Sequence, residues 1–390
     1  MAEAKRPASQ KVRRGEDGNW HVRLYKGTDP VTGRRIRPSR TWPGELPEAE
    51  AQELCDAWAA GVRPERRLGA MLADWIGDPV NGFSGNTVAT YESALRRYVE
   101  PTLGDVPFDE LKASDVDKAY RRLLTGGRGA PCIAPVTLRK VHSMLRAAYR
   151  SWAPDLDANP MLAVTPPRVA FPDPYALDDV ELETLTRALA AAMGEQSVTA
   201  ANVARRTTAF AAYLALNQAL RCGEVCALRR GDWRRELHDL HVGGTVVEHP
   251  RLERQPRPKR NSVGNVALSR ETERALLEHL VWQERWLACP LTGRTPIVTY
   301  GARGGLARPS TVSKRFKALA REIGLPEETV FHTLRHTSAT WLLMHGFDAR
   351  TIQERLRHSD VSTTLRFYSS VAPGRDAQAA DAFSTRKGSI

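Results

Sequence analysis

Six residues in chain order, Arg221, Lys259, His332, Arg335, His358 and Tyr368, are of the types that can break a phosphodiester. Such a reaction sets three tasks. A nucleophile must attack phosphorus, charge developing on the non-bridging oxygens must be offset, and the leaving alkoxide needs a proton. The phenol of Tyr368 suits the first, because a covalent phosphoester divides one hard step into two. Arg221 and Arg335 suit the second, because a guanidinium forks onto phosphate oxygens and stays charged. Lys259 suits the third as general acid when its neighbours lower its pKa. His332 and His358 can take the tyrosine proton or donate to the phosphate. The set supplies its own cations, so the expected chemistry uses no metal and no cofactor.

Each residue taken singly also has a plainer role. A tyrosine on a late helix is ordinarily core, and Phe367 can be the packing residue beside Tyr368. Arg221 and Glu224 fit an exposed helical ion pair. His332 and His336 at i, i+4 look like half a zinc site, but His-Thr-Leu-Arg-His lacks the Glu of a zinc hydrolase. Lys259 sits among five basic residues between Arg251 and Arg260, which also fits a solvated loop. Order and spacing favour the chemical reading. Lys259 follows Arg221 by 38 residues, His332 follows Lys259 by 73, His358 follows Arg335 by 23, and Tyr368 follows His358 by 10.

The rest of the chain has to position this set. It has 390 residues, enough for two or three domains, and a net charge of +12 that favours a polyanionic partner. Five scattered cysteines argue against a disulfide framework. The N-terminal stretch has no apolar signal core and no apolar run is long enough for a membrane span, so a cytoplasmic protein is expected. No phosphate-cradling Gly-x-x-x-x-Gly-Lys-Ser/Thr loop occurs, and nothing points to nucleotide hydrolysis.

Residues 1–60 read as a small basic β-unit followed by a helix at 47–60. Strands are expected at 12–14, at 20–25 and in a return through 34–37 and 41–42. Residues 1–45 alone carry eleven Lys/Arg against five Asp/Glu. Residues 66–165 show the i, i+3, i+4, i+7 spacing of helices, as in Leu68, Met71, Leu72 and Trp75. Ser114 is the expected N-cap of one of them. A Pro-rich linker spans 166–176. A mixed region follows over 177–390, with helices expected at 178–193, 203–219, 270–288, 310–323, 333–345 and 348–357. Strands are expected near 238–247 and 263–268. Arg23, Arg34, Arg35 and Arg37 on the small sheet could enter a DNA groove as a β-ribbon, or contact phosphate only. Arg96, Arg97, Arg139 and Lys140 suit backbone contacts from separate helices.

The motifs around the six residues resemble those of the tyrosine recombinases, or phage-type integrases. Ala219-Leu220-Arg221-Cys222-Gly223-Glu224, followed by Leu228 and Asp232, is similar to that family's first-arginine segment. Pro258-Lys259-Arg260-Asn261 before Val266-Ala267-Leu268 resembles its β-hairpin lysine segment. His332-Thr333-Leu334-Arg335, Leu356-Arg357-His358 and Thr363 to Tyr368 resemble the remaining boxes. The resemblance implies a mainly α, multidomain chain. A three-stranded arm-binding module would precede a helical, SAM-like core-binding domain and a mixed α+β catalytic domain. It implies a site-specific recombinase that works through a 3′-phosphotyrosyl intermediate and a Holliday junction to integrate or excise a phage or other mobile element. The implied partners are double-stranded core and arm attachment sites, a homotetramer on DNA, an excision factor and a DNA-bending protein. Three positions depart from the family pattern. Ala219 stands for the usual Gly, which suggests a helix end of another shape. Arg357 stands for the common Gly before His358, which suggests a different turn and an extra phosphate contact. Ser370 stands where a His is frequent. Glu224 is expected to hold the Arg221 loop. A type IB topoisomerase and a non-catalytic DNA-binding regulator are the alternatives; the first would relax DNA lacking any recombination site, the second would not need Tyr368.

Overall fold

A computed structural model describes residues 11–23, 27–28, 35–36, 39–61, 67–127, 131–152, 159–169, 174–256 and 263–357. The chain forms two compact units, residues 1–170 and 171–390.

The first unit opens with a three-stranded antiparallel sheet of β1 (Arg13–Arg14), β2 (Trp20–Arg23) and β5 (Ser39–Trp42) in the order β1-β2-β5. Alternation drives it. Trp20 and Val22 turn inward onto Val12, Trp42 and Ala51, while Arg23 is exposed. Helix α1 (Glu48–Gly61) covers the inner face, and the Gln52 side chain accepts a hydrogen bond from the Val12 N–H at 3.1 Å. The expected single return strand is two pieces. β4 (Arg35–Ile36) pairs with β3 (Gly27–Thr28) in a separate hairpin, and only β5 joins the sheet.

Helices α2 (Leu68–Gly77), α3 (Gly85–Ala94), α4 (Glu100–Leu103), α5 (Ala113–Thr125) and α6 (Pro135–Trp152) build a separate core. It includes Leu68, Leu72, Val116, Leu123, Val141 and Leu145. Between α3 and α4 the backbone widens into a π-turn, Leu95–Val99. Pro101 explains it: proline has no N–H and its ring crowds the carbonyl four residues back. Ser114 is not the cap of α5. The helix starts one residue earlier, and the Asp115 carboxylate reaches back to the Lys112 N–H at 3.3 Å.

The second unit holds α7 (Asp179–Gly194), α8 (Ala200–Asn217), α9 (Cys222–Ala227), α10 (Arg270–Leu287), α11 (Pro309–Glu322), α12 (Phe331–Met344) and α13 (Ala349–Leu356). Asp178 and Glu181 cap α7 reciprocally, at 2.8 and 2.9 Å. Helix α8 begins three residues before its expected start because Thr199 accepts from the Asn202 N–H. Strands β6 (Trp233–Arg234), β7 (Asp239–Val242) and β10 (Gly264–Ala267) make one antiparallel sheet in the order β10-β7-β6. β8 (Thr245–Val247) pairs with β9 (Glu253–Gln255). The core gathers Phe210, Leu214, Leu240, Leu276, Phe316 and Leu334. Among the described residues no helix is long and apolar enough to cross a membrane.

Candidate active site

Arg221 precedes α9, and the carboxylate three residues on binds it twice. The Arg221 N–H donates to Glu224 Oε2 at 3.0 Å and its guanidinium donates to Oε1 at 2.8 Å. Glu224 is 1% exposed, so the pair is not the solvated surface bridge that the spacing also allowed. It is the buried brace expected for the Arg221 loop.

Arg335 enters one turn into α12, 2% exposed. One Nη donates to the carbonyl of Ala219 and the other to the carbonyl of Leu356. It therefore joins the backbone just before Arg221 to the backbone just before Arg357. Nη1 also stands 3.9 Å from Glu224 Oε2. Burial, then the Arg221 charge, pulls the Arg335 pKa down to about 9, so it remains cationic at neutral pH.

His332 sits one turn before Arg335 and meets the His336 ring edge-on at 4.4 Å. Desolvation and the charges of Arg335 and Arg221 hold its pKa below the ordinary imidazole value. A neutral ring can accept a proton. Among the described residues no cluster of three or more His, Cys, Asp or Glu is arranged to hold a metal.

Two turns beside the set take a left-handed backbone without glycine. Ala219 has φ +51° and Arg357 φ +52°. Both substitutions thus keep the conformation that glycine favours, contrary to the expectation of different shapes. The expected extra phosphate contact from Arg357 is also not what is seen. Its side chain is 5% exposed and donates to Glu224 Oε2 at 2.7 Å and to the Arg355 carbonyl at 3.2 Å. Arg355 in turn donates to the Asn217 carbonyl at 2.8 Å and to Gln218 Oε1 at 3.0 Å. Sequence reasoning passed over Arg355 and misread Arg357, because an arginine beside a histidine in a basic chain gives no local sign of which way it faces.

Neighbouring strands fix α9. Arg254 of β9 donates to the Ala227 carbonyl at 2.9 Å. Asp232 accepts from the Arg229 N–H at 2.8 Å and faces Arg254 at 3.7 Å. Gly223 lies so close to β8 that a Cβ would come within 2.5 Å of Thr245 Oγ1. Arg221, His332 and Arg335 are thus brought together. Lys259, between β9 and β10, and His358 and Tyr368, after α13, lie outside the described residues.

Of the DNA-contact candidates, Arg23, Arg96, Arg97, Arg139 and Lys140 are exposed, and Arg139 also donates to the Pro167 carbonyl at 3.3 Å. Arg96 and Arg97 occupy the π-turn. Arg34 and Arg37 lie outside the described residues, as does the Arg35 side chain. Arg13, which composition and charge alone did not single out, is exposed and pairs across the sheet with His21, on the face that carries Arg23. Its signal was the alternation with buried Val12.

Comparison with known proteins identifies the family. The phage integrase family pattern matches residues 180–375, half of the chain. The tyrosine recombinase XerC of Rhizobium meliloti (strain 1021) is 28% identical over 319 residues, covering 79% of this chain and 85% of that protein. The structure of the Tn1549 transposon integrase with a circular intermediate DNA aligns with a TM-score of 0.65 at 20% identity, covering 81% of this chain and 98% of that one. A lambda integrase tetramer bound to a Holliday junction aligns at 0.54 and 15% identity, covering 93% of this chain and 96% of that one. The chain belongs to the phage integrase family of tyrosine recombinases, enzymes that cut and rejoin DNA strands in site-specific recombination.

Proposed function

We propose that the chain is the integrase of a phage or other mobile element, and that it integrates and excises DNA through a 3′-phosphotyrosyl intermediate and a Holliday junction. The observation that carries this reading is the convergence of Arg221, Arg335 and His332 around buried Glu224. Two guanidiniums at one point suit a phosphate whose oxygens gain charge as it is attacked. In the proposed step the Tyr368 oxygen forms a bond to phosphorus and gives its proton to neutral His332 or to His358. The 5′-oxygen leaves and takes a proton from Lys259. Attack by a 5′-hydroxyl of a partner strand reverses the step and frees Tyr368. The phosphotyrosyl bond retains the ester energy, so no nucleotide hydrolysis is required.

Residues 1–60 would serve as an arm-type DNA-binding module, 66–165 as the core-binding domain, 166–176 as linker and 177–390 as the catalytic domain. The likeness to lambda integrase, which extends over 93% of the chain, supports reading the N-terminal part this way, and the tetramer that protein forms on a Holliday junction supports a tetramer here. An excision factor and a DNA-bending protein complete the proposed assembly, which acts in the cytoplasm on the nucleoid. The test is a suicide substrate that carries the attachment site. The wild-type chain should form a covalent adduct whose linked peptide contains Tyr368. Tyr368→Phe should bind the same DNA and form none. An adduct with that variant, or relaxation of DNA without the site at a topoisomerase's rate, would overturn the reading.

A further inference from the structure

Glu224 is surrounded by more positive charge than its brace on Arg221 requires. Its Oε1 accepts from Arg221, and its Oε2 accepts from the Arg221 N–H and, at 2.7 Å, from Arg357. Arg335 stays at 3.9 Å and gives its Nη groups to two carbonyls instead. Gly264, at the start of β10, lets the Arg357 stem pass: a Cβ there would stand 3.2 Å from Arg357 Cδ. One side chain thus touches the Arg221 helix, the strand that follows Lys259 and the turn that leads into His358.

We propose that Arg357 is a positioning residue, which holds the Glu224 carboxylate off Arg335 and so keeps the Arg335 guanidinium aimed for the scissile phosphate. The proposal rests on the catalytic reading above. A buried carboxylate must find donors, because an unpaired charge out of water is costly. Without Arg357, the nearest cation among the described residues that makes no hydrogen bond to Glu224 is Arg335. Moving toward Glu224 would draw it from the Ala219 and Leu356 carbonyls and turn its fork away from the phosphate. The charged groups facing Glu224 among the described residues are Arg221, Arg335 and Arg357, and the titratable His332 ring also faces it. Burial pushes the Glu224 pKa up, and Arg357, the Arg221 N–H, Arg221 and Arg335 together outweigh it and hold it down.

The test compares DNA affinity and the first-turnover rate of adduct formation for the wild type, Arg357→Gly, Arg357→Lys, Arg357→Met, Glu224→Gln and the Arg357→Gly/Glu224→Gln double variant. Glycine accepts the left-handed turn without strain. Arg357→Gly should bind DNA as the wild type does while adduct formation falls by about 10- to 100-fold, less than the roughly 100- to 1,000-fold lost when a well-placed donor is removed outright. Its deficit relative to the wild type should also shrink as pH falls, because Glu224 has lost a partner that keeps it ionised and a protonated Glu224 no longer diverts Arg335. The double variant should be no slower than Arg357→Gly, since a neutral amide no longer diverts Arg335. Multiplying losses would instead mean a packing role and overturn the proposal. Should Arg357→Gly not fold, the other pair decides. Arg357→Lys should stay within a few-fold of wild type, and Arg357→Met, which keeps the stem and drops the charge, should be slow; equal rates for the two overturn the proposal. A wild type that forms no adduct sinks the proposed function itself. Wild-type adduct with an unaffected Arg357→Gly sinks this proposal alone.

Discussion

Arg335 commits two of its five N–H donors to the protein before any phosphate arrives, at the Ala219 and Leu356 carbonyls. The fork is therefore preset in direction, which is what a transition-state donor needs. Arg335→Lys keeps the charge but cannot hold two carbonyls and a phosphate at once. It should lower the adduct-forming rate by about 100- to 1,000-fold with little change in DNA affinity. A rate within tenfold of wild type in a single-turnover assay would argue against the assigned clamp. Ala219 carries a different cost. A left-handed alanine is strained by about 1–2 kcal/mol, and glycine removes that strain. Glycine also removes a fully buried methyl that packs with Ala339, Leu343 and Leu356, worth about 0.8 kcal/mol, and loosens the unfolded chain. The terms nearly cancel, so Ala219→Gly should change unfolding free energy by less than about 1 kcal/mol; a denaturant titration showing a drop of more than about 2 kcal/mol would contradict the left-handed turn.

Elements act here as spacers between reactive groups. Helix α9 is only six residues long, too short to hold itself, and β8, β9 and Arg254 fix both its ends. Gly223 is where β8 comes closest. Gly223→Ala would press Thr245 Oγ1 and the Val246 carbonyl, and it should cost about 1–3 kcal/mol, the usual penalty of overpacking. It should also slow cleavage, because Arg221 and Glu224 ride on the same turn. Thermal unfolding alongside the adduct assay checks both effects. In the first unit the π-turn exposes Arg96 and Arg97 side by side. If both meet phosphate, replacing them with alanine should make log affinity fall less steeply with log salt, by about 0.9 in slope for each phosphate no longer neutralised. An unchanged slope would leave them as an ordinary solvated face.

At the scale of the whole molecule, the apolar cores lie within the units, and the second unit buries a titratable group among aromatic side chains. His279 stacks on Phe210 at 3.8 Å and bonds the Ile297 carbonyl. Burial holds its pKa down to about 3, against 6.5 when free. Between those values the unfolded chain binds the extra proton and the folded chain does not. Stability from this group is thus full above pH 6.5 and falls away as pH drops toward 3. The decline is about 1.4 kcal/mol per pH unit. Unfolding titrations at about pH 6.5 and about pH 5 should therefore show the wild type losing about 2 kcal/mol more than His279→Gln. Equal losses would mean that His279 is not held neutral.

The sequence by itself singled out the groups proposed for the chemistry and most of the helices around them. Arg221, His332 and Arg335 were legible from type and order, and helices α7, α8 and α10 to α13 were expected within a few residues of where they lie, because both signals are local. Tertiary structure alone decided how those groups are held. The bond between Arg357 and Glu224 spans 133 residues, and the one between Arg335 and Ala219 spans 116. No periodicity encodes such a pairing. It forms only when α9, α12 and α13 pack together and the buried carboxylate and carbonyls take the nearest donors. For the same reason Arg357, which in the sequence suggested a hand held out to DNA, turns inward: the buried Glu224 carboxylate needs a donor, and Arg357 supplies one.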